Sequence, residues 1–277
     1  MKKLLGSLLL VIPMIAAAQS GASGTWRIDA DSAKMDSKPQ VFEVKDGMFN
    51  CSTCDPKISI KADGNQQPLT GDPYADTLAV TVKDDNTVDE VGMKNGKVSF
   101  RATYTVSPDG STLTEHFEGH PMGSDQAVTG ASVYSRVGEH TPGANNMSGS
   151  WKMERFEGIS DNALTFTYTP TANGMNYQAK TGENYNAKFD GKDYPFHGDP
   201  GTTAVVLKKV NDREFEETYK RNGEVTGSAT MTISPDGKTM KIVAHDLRRG
   251  TIDTFTATHE SAGGAPAMAG DKKEVDK

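Results

Sequence analysis

NGKVSFRATYTVSPDG, residues 95–110, and NGEVTGSATMTISPDG, residues 222–237, are one pattern written twice. Each copy opens on Asn-Gly, the pair that suits a type I′ hairpin turn because both central residues need positive φ. Each closes on Ser-Pro-Asp-Gly, which fits a type I turn with Pro at its second position and a closing Gly. Between the turns, Val98, Phe100, Ala102, Tyr104 and Val106 alternate with Ser99, Arg101, Thr103 and Thr105. In the second copy Val225, Gly227, Ala229, Met231 and Ile233 alternate with Thr226, Ser228, Thr230 and Thr232. A strict period of two over nine residues predicts a strand with one face turned away from water.

The repetition extends beyond this pattern. Asp63-Gly64 recurs as Asp190-Gly191, and Gly71-Asp72-Pro73 as Gly198-Asp199-Pro200. These pairs share with the Asn-Gly and Ser-Pro-Asp-Gly turns a single offset of 127 residues. The two tryptophans, Trp26 and Trp151, lie 125 apart. The period is too long for a solenoid unit and points to a duplicated domain of roughly 110 residues. Strand-like segments at 26–29, 41–45, 57–61, 77–83, 87–93, 98–106, 111–118 and 126–137 give eight strands in the first copy, and the second reads likewise. No segment sustains a 3.6-residue period, and the short connections make sequence neighbours into spatial neighbours. The expected class is all-β: two tandem antiparallel eight-stranded β-barrels, with two β-sandwiches as the alternative. Closure removes the exposed edges that a sandwich keeps.

The boundaries follow from composition. Residues 1–18 (MKKLLGSLLLVIPMIAAA) carry two lysines, an apolar run and a small-residue end, the pattern of a cleaved signal peptide. That apolar run is short of the roughly 20 residues needed to span a bilayer. Residues 24–137 form the first barrel, 138–148 (GEHTPGANNMS) a flexible linker, 149–260 the second barrel and 261–277 a disordered tail. A periplasmic or extracellular protein is expected, not integral to a membrane. With 37 acidic against 30 basic side chains and a net charge of −7, the chain lacks the basic field of a nucleic-acid binder.

Gly24-Thr25-Trp26 and Gly149-Ser150-Trp151 resemble the Gly-x-Trp that opens lipocalin barrels. The whole chain after residue 18 is similar to exported bacterial proteins with tandem lipocalin-like, calycin-type repeats. The resemblance implies that each Trp packs across the closed end of its own barrel, against an Arg from the last strand. Arg136 is placed to be that Arg in the first copy; the second has Thr258-His259-Glu260 near the corresponding place.

Candidate chemistry is sparse. Cys51 and Cys54 form a Cys-x-x-Cys that an oxidising compartment would close into a local disulfide. Thiol–disulfide exchange would want a βαβ setting, and haem attachment would need His where Asp55 stands. His116 and His120 lie four apart, which on a strand spans about 13 Å, too far for one metal ion. The repeated Asp63, Asp72, Asp109, Asp190, Asp199 and Asp236 all sit in turn motifs, where Asp bonds its own backbone. No nucleophile elbow, P-loop or dinucleotide fingerprint is present. No enzyme activity, metal or cofactor is therefore expected. An eight-stranded barrel can hold one small molecule. The expected function is binding of a small hydrophobic ligand, lined by Val98, Phe100 and Tyr104 in one barrel and Val225, Met231 and Ile233 in the other. The alternative is a structural or interaction protein of the cell envelope with filled barrels.

Overall fold

The computed structural model describes residues 20–35 and 38–260; the expected signal peptide, residues 1–18, and the expected tail, 261–277, lie outside them. In chain order the first strands are β1 (Gly24–Met35), β2 (Gln40–Lys45), β3 (Met48–Cys51), β4 (Ile58–Lys61) and β5 (Gln67–Pro68). They are followed by β6 (Thr77–Val82), β7 (Thr87–Lys94), β8 (Lys97–Val106), β9 (Thr112–Gly119) and β10 (Val128–Val137). The second run is β11 (Gly149–Glu157), β12 (Thr165–Pro170), β13 (Gly174–Ala179), β14 (Asn184–Lys188) and β15 (Tyr194–His197). It ends with β16 (Ala204–Asn211), β17 (Glu214–Arg221), β18 (Glu224–Ile233), β19 (Thr239–Asp246) and β20 (Thr251–Glu260). The class is all-β, and all pairings are antiparallel, but each sheet has ten strands where eight were expected. The additions are the short β3 and β5 and their counterparts.

The Asn-Gly hairpins form as the sequence requires. Asn95 and Gly96 have φ of 52° and 75°, and Asn222 and Gly223 have 52° and 89°. All six repeated aspartates accept the N–H of the residue two places on.

The connectivity departs from two self-contained copies. β11 pairs with β10 and with β2, so residues 40–157 make one barrel-like sheet from a continuous stretch of chain. β1 pairs with β12 and β20, closing a ring with residues 165–260. The first barrel is therefore inserted between the opening strand of the second and the rest of it. The expected boundaries 24–137 and 149–260 are corrected accordingly: each Gly-x-Trp strand serves the barrel of the other repeat. The cause is the preference of consecutive strands to pair. β11 is the next strand after β10, across residues 138–148, and fills the slot beside β2, and β1 takes the equivalent slot beside β12. In the first barrel the ring ends meet through one bridge, Asp63 with Thr81, where Gly64 N–H donates to the Val80 carbonyl at 2.8 Å.

The two closed ends are built alike. Trp26 and Trp151 are fully buried, and their indole N–H groups donate to the carbonyls four residues back, Ala22 at 2.9 Å and Met147 at 2.7 Å. Arg136 lies over the Trp151 ring at 4.1 Å and donates to the Gly110, Ser148 and Asn146 carbonyls. In the second barrel His259 takes that place, edge-on to Trp26 at 4.9 Å, with Nε2 3.0 Å from the Ser23 carbonyl. The Gly of each Gly-x-Trp is required by this approach. A Cβ on Gly24 would stand 2.1 Å from His259, and one on Gly149 would stand 2.6 Å from Arg136.

Residues 138–148 are not a free linker along their whole length. Met147 and Ser148 are fully buried, Val44 N–H donates to Ser148 Oγ at 2.8 Å, and Asn145 N–H donates to the Val44 carbonyl at 3.0 Å. Their small polar side chains serve a docked turn that carries Trp151 into place.

Candidate functional site

The interior of the second barrel holds a cavity of about 370 Å³. Its walls are apolar, shared between aliphatic side chains such as Ile28, Met231 and Ile242 and six rings: Phe166 and Tyr168 on β12, Tyr177 on β13, Phe196 on β15, Tyr219 on β17 and Phe255 on β20. The rings pack on one another, with Tyr177 at 5.3 Å from Tyr185, 5.4 Å from Tyr168 and 6.0 Å from Phe166. Tyr177 also lies 6.4 Å from Phe196, and Phe196 meets Tyr219 edge-on at 6.2 Å.

One carboxyl group enters this apolar space. β17 alternates, so Phe215, Glu217 and Tyr219 all point inward. Glu217 is 2% exposed. Its Oε1 accepts the hydroxyls of Tyr168 at 2.8 Å and of Tyr185, and its Oε2 accepts that of Tyr219 at 2.5 Å. Burial raises the Glu217 pKa above the ordinary carboxylate value, and the three phenolic hydrogen bonds oppose that rise. The same burial, together with the Glu217 charge, lifts the three tyrosine hydroxyls well above their usual range.

The mouth of the cavity is formed by Asp199 and Thr202, in the loop between β15 and β16. Asp199 also borders a cleft of about 410 Å³ that Phe100, Met122 and Pro121 of the first barrel help to line. Across it, the Tyr74 hydroxyl donates to Asp199 Oδ1 at 2.9 Å. Gly201 leaves room for this contact, since a Cβ there would stand 2.2 Å from the Tyr74 oxygen.

The expected lining residues are distributed differently. Met231 lines the cavity, whereas Ile233 is packed near the closed end, around Ala22 and Phe215. Val225 does not face the interior: it is 46% exposed. A bulge between Tyr219/Gly227 and Lys220/Val225 inserts a residue into β18, which breaks the alternation and turns Val225 outward. The same bulge recurs in β8, between Phe100 and Val98. Phe100 borders the inter-barrel cleft, Val98 is half-buried near the hairpin end, and Tyr104 is buried in the first barrel, donating to Glu115 at 3.1 Å. The Cys51–Cys54 disulfide is formed beside β3 in the first barrel, with Cys51 buried. His120 pairs with Glu118 at 2.9 Å.

Glu217 and its tyrosines belong to no sequence motif and are not among the expected site residues. A signal was available: Glu90 and Glu217 share the repeat offset of 127, each at an inward position of a half-apolar strand. No helix among the described residues is long and apolar enough to cross a membrane. No family model and no curated protein matches the chain.

Proposed function

We propose that this is an exported, lipocalin-like binding protein whose second barrel takes a small, largely apolar ligand carrying one polar group. The observation that carries the reading is the cavity of about 370 Å³, walled by aromatic rings with the Glu217 carboxyl inside it. That volume falls in the range of small-molecule sites, and apolar walls with few placed polar groups are their usual make-up. A structural protein with filled barrels would gain stability from packing this space, so the cavity favours a ligand. Export is supported by the basic, apolar and small-residue order of residues 1–18 and by the disulfide, which persists in oxidising compartments.

The test is fluorescence titration with the neutral apolar probe N-phenyl-1-naphthylamine. Saturable one-to-one binding is expected in the wild type and is lost in Met231→Trp, whose indole would fill the cavity. Binding that persists unchanged in that variant, or no saturable binding at all, would overturn the proposal.

A further inference from the structure

Resting on that reading of the second barrel, we propose that its ligand is an organic cation, an ammonium group held against Glu217 and enclosed by the aromatic faces around it.

The cavity is bordered by two carboxylates, Glu217 inside and Asp199 at the mouth, and by no Lys, Arg or His. Among the described residues no cationic side chain pairs with Glu217; its partners are three neutral hydroxyls. A buried carboxylate is costly unless it is hydrogen-bonded and paired, and the phenols supply only the first of these. They leave Oε2 with a single donor, Tyr219, and so with spare acceptor capacity. An incoming ammonium supplies the missing charge.

The walls point the same way. A cation is attracted to an aromatic face within about 6 Å of the ring centroid, and several faces around one space suit quaternary and alkylated ammonium groups. The rings that border the cavity, Phe166, Tyr168, Tyr177, Phe196, Tyr219 and Phe255, surround the space beside Glu217 and offer aromatic surface to a group lodged in it. Neither a fatty acid nor another anion suits the site, because its carboxylate would meet Glu217 and Asp199 with no basic residue to receive it.

The first barrel sharpens the assignment. Glu90 stands at the position of Glu217, yet the tyrosine positions there are held by Phe42, Ile58 and Gly92. Among the described residues a carboxyl with three tyrosine donors occurs only at Glu217; in the first barrel Glu115, on a different strand, accepts two, from Tyr104 and Tyr134.

Two ligands of nearly equal shape decide the matter: benzyltrimethylammonium and its uncharged carbon isostere neopentylbenzene. Each is titrated as a competitor of N-phenyl-1-naphthylamine on the purified protein. The wild type is expected to prefer the cation by about tenfold or more, which corresponds to one good charge contact. Glu217→Gln is expected to remove that preference, so that the ratio of cation to isostere affinity falls about tenfold. Phe196→Leu, which keeps Glu217 and its hydroxyl partners, is expected to weaken the cation roughly three- to fivefold and the isostere less; it serves should Glu217→Gln fail to fold. Equal or better binding of the isostere in the wild type overturns the cation assignment and leaves the barrel-binding reading standing. Absence of binding by the naphthylamine and both competitors overturns the two together.

Discussion

The two barrels descend from one sequence pattern and differ in two respects, how the chain closes them and what it buries in them. The first is continuous from β2 to β11, whereas the second borrows β1 from the far side of the first. The second buries a carboxylate among three phenols; the first buries Glu90 with no hydroxyl partner among the described residues and places a second acid, Glu115, nearby under Tyr104 and Tyr134. A repeat thus fixes strand order and turn chemistry while leaving closure and interior free to diverge.

The largest expected effect comes from cutting the molecule along its topology instead of its repeat. Residues 38–160 contain every strand of the first barrel and should melt cooperatively on their own. Residues 161–260 lack β1 and would expose β12 and β20 as two open edges. They should show no cooperative melt by circular dichroism. Because Thr25 pairs with Glu260, a circular permutant carrying residues 20–35 after residue 260 has its closing strand beside its slot and should regain the transition. Cooperative melting of 161–260 alone would show that the borrowed strand is dispensable.

This division explains what could be read from the chain and what could not. The Asn-Gly and Ser-Pro-Asp-Gly turns act through their own backbone, so β8 and β18 were legible to within a residue. β3 and β5 were not, being four and two residues long and set among turn residues. Even so, Asp46-Gly47, with φ of 50° and 75°, is a second hairpin turn of the same kind, leading from β2 into β3. The exchange of β1 and β11 was illegible for a deeper reason. Both strands carry Gly-x-Trp, so either fits either slot, and only the adjacency of β10 and β11 in the chain breaks the tie. The site was hidden because a glutamate on an alternating strand reads as surface charge until its face is known. A further exchange lies across a strand pair. In the first barrel the Phe100 ring covers Gly92, and in the second Tyr219 stands at the Gly92 position opposite Gly227, which brings a hydroxyl to Glu217.

A smaller effect separates the two closed ends. Arg136 donates to three carbonyls and lies on a tryptophan face, while His259 makes one such contact and an edge-on ring pair. Arg136→Met should cost roughly 2–3 kcal/mol in urea denaturation, as the hydrogen bonds to three carbonyls and a cation–π contact are lost together. His259→Met should cost about 1 kcal/mol. Equal losses would mean that the tryptophans alone hold the ends shut.

The smallest effect concerns the buried acids and has the opposite sign. Burial and the neighbouring Glu115 charge raise Glu90 from the ordinary 4.5 to about 8. The folded chain therefore holds this proton more tightly than the unfolded chain does, so this group favours folding most at low pH. Its contribution is complete below the unfolded value, declines as pH rises through 4.5 and is lost by about 8. Glu90→Gln keeps the shape and cannot ionise. It should stabilise the protein by about 1–2 kcal/mol at pH 8 and change little at pH 4. Denaturation at several pH values reads this directly, with Glu217→Gln as the comparison. There the substituted amide cannot accept all three phenolic protons, so part of any gain from removing the charge is offset by unpaired hydroxyls. A larger gain at residue 217 than at residue 90 would mean that the phenols contribute little to holding the charge of the second barrel.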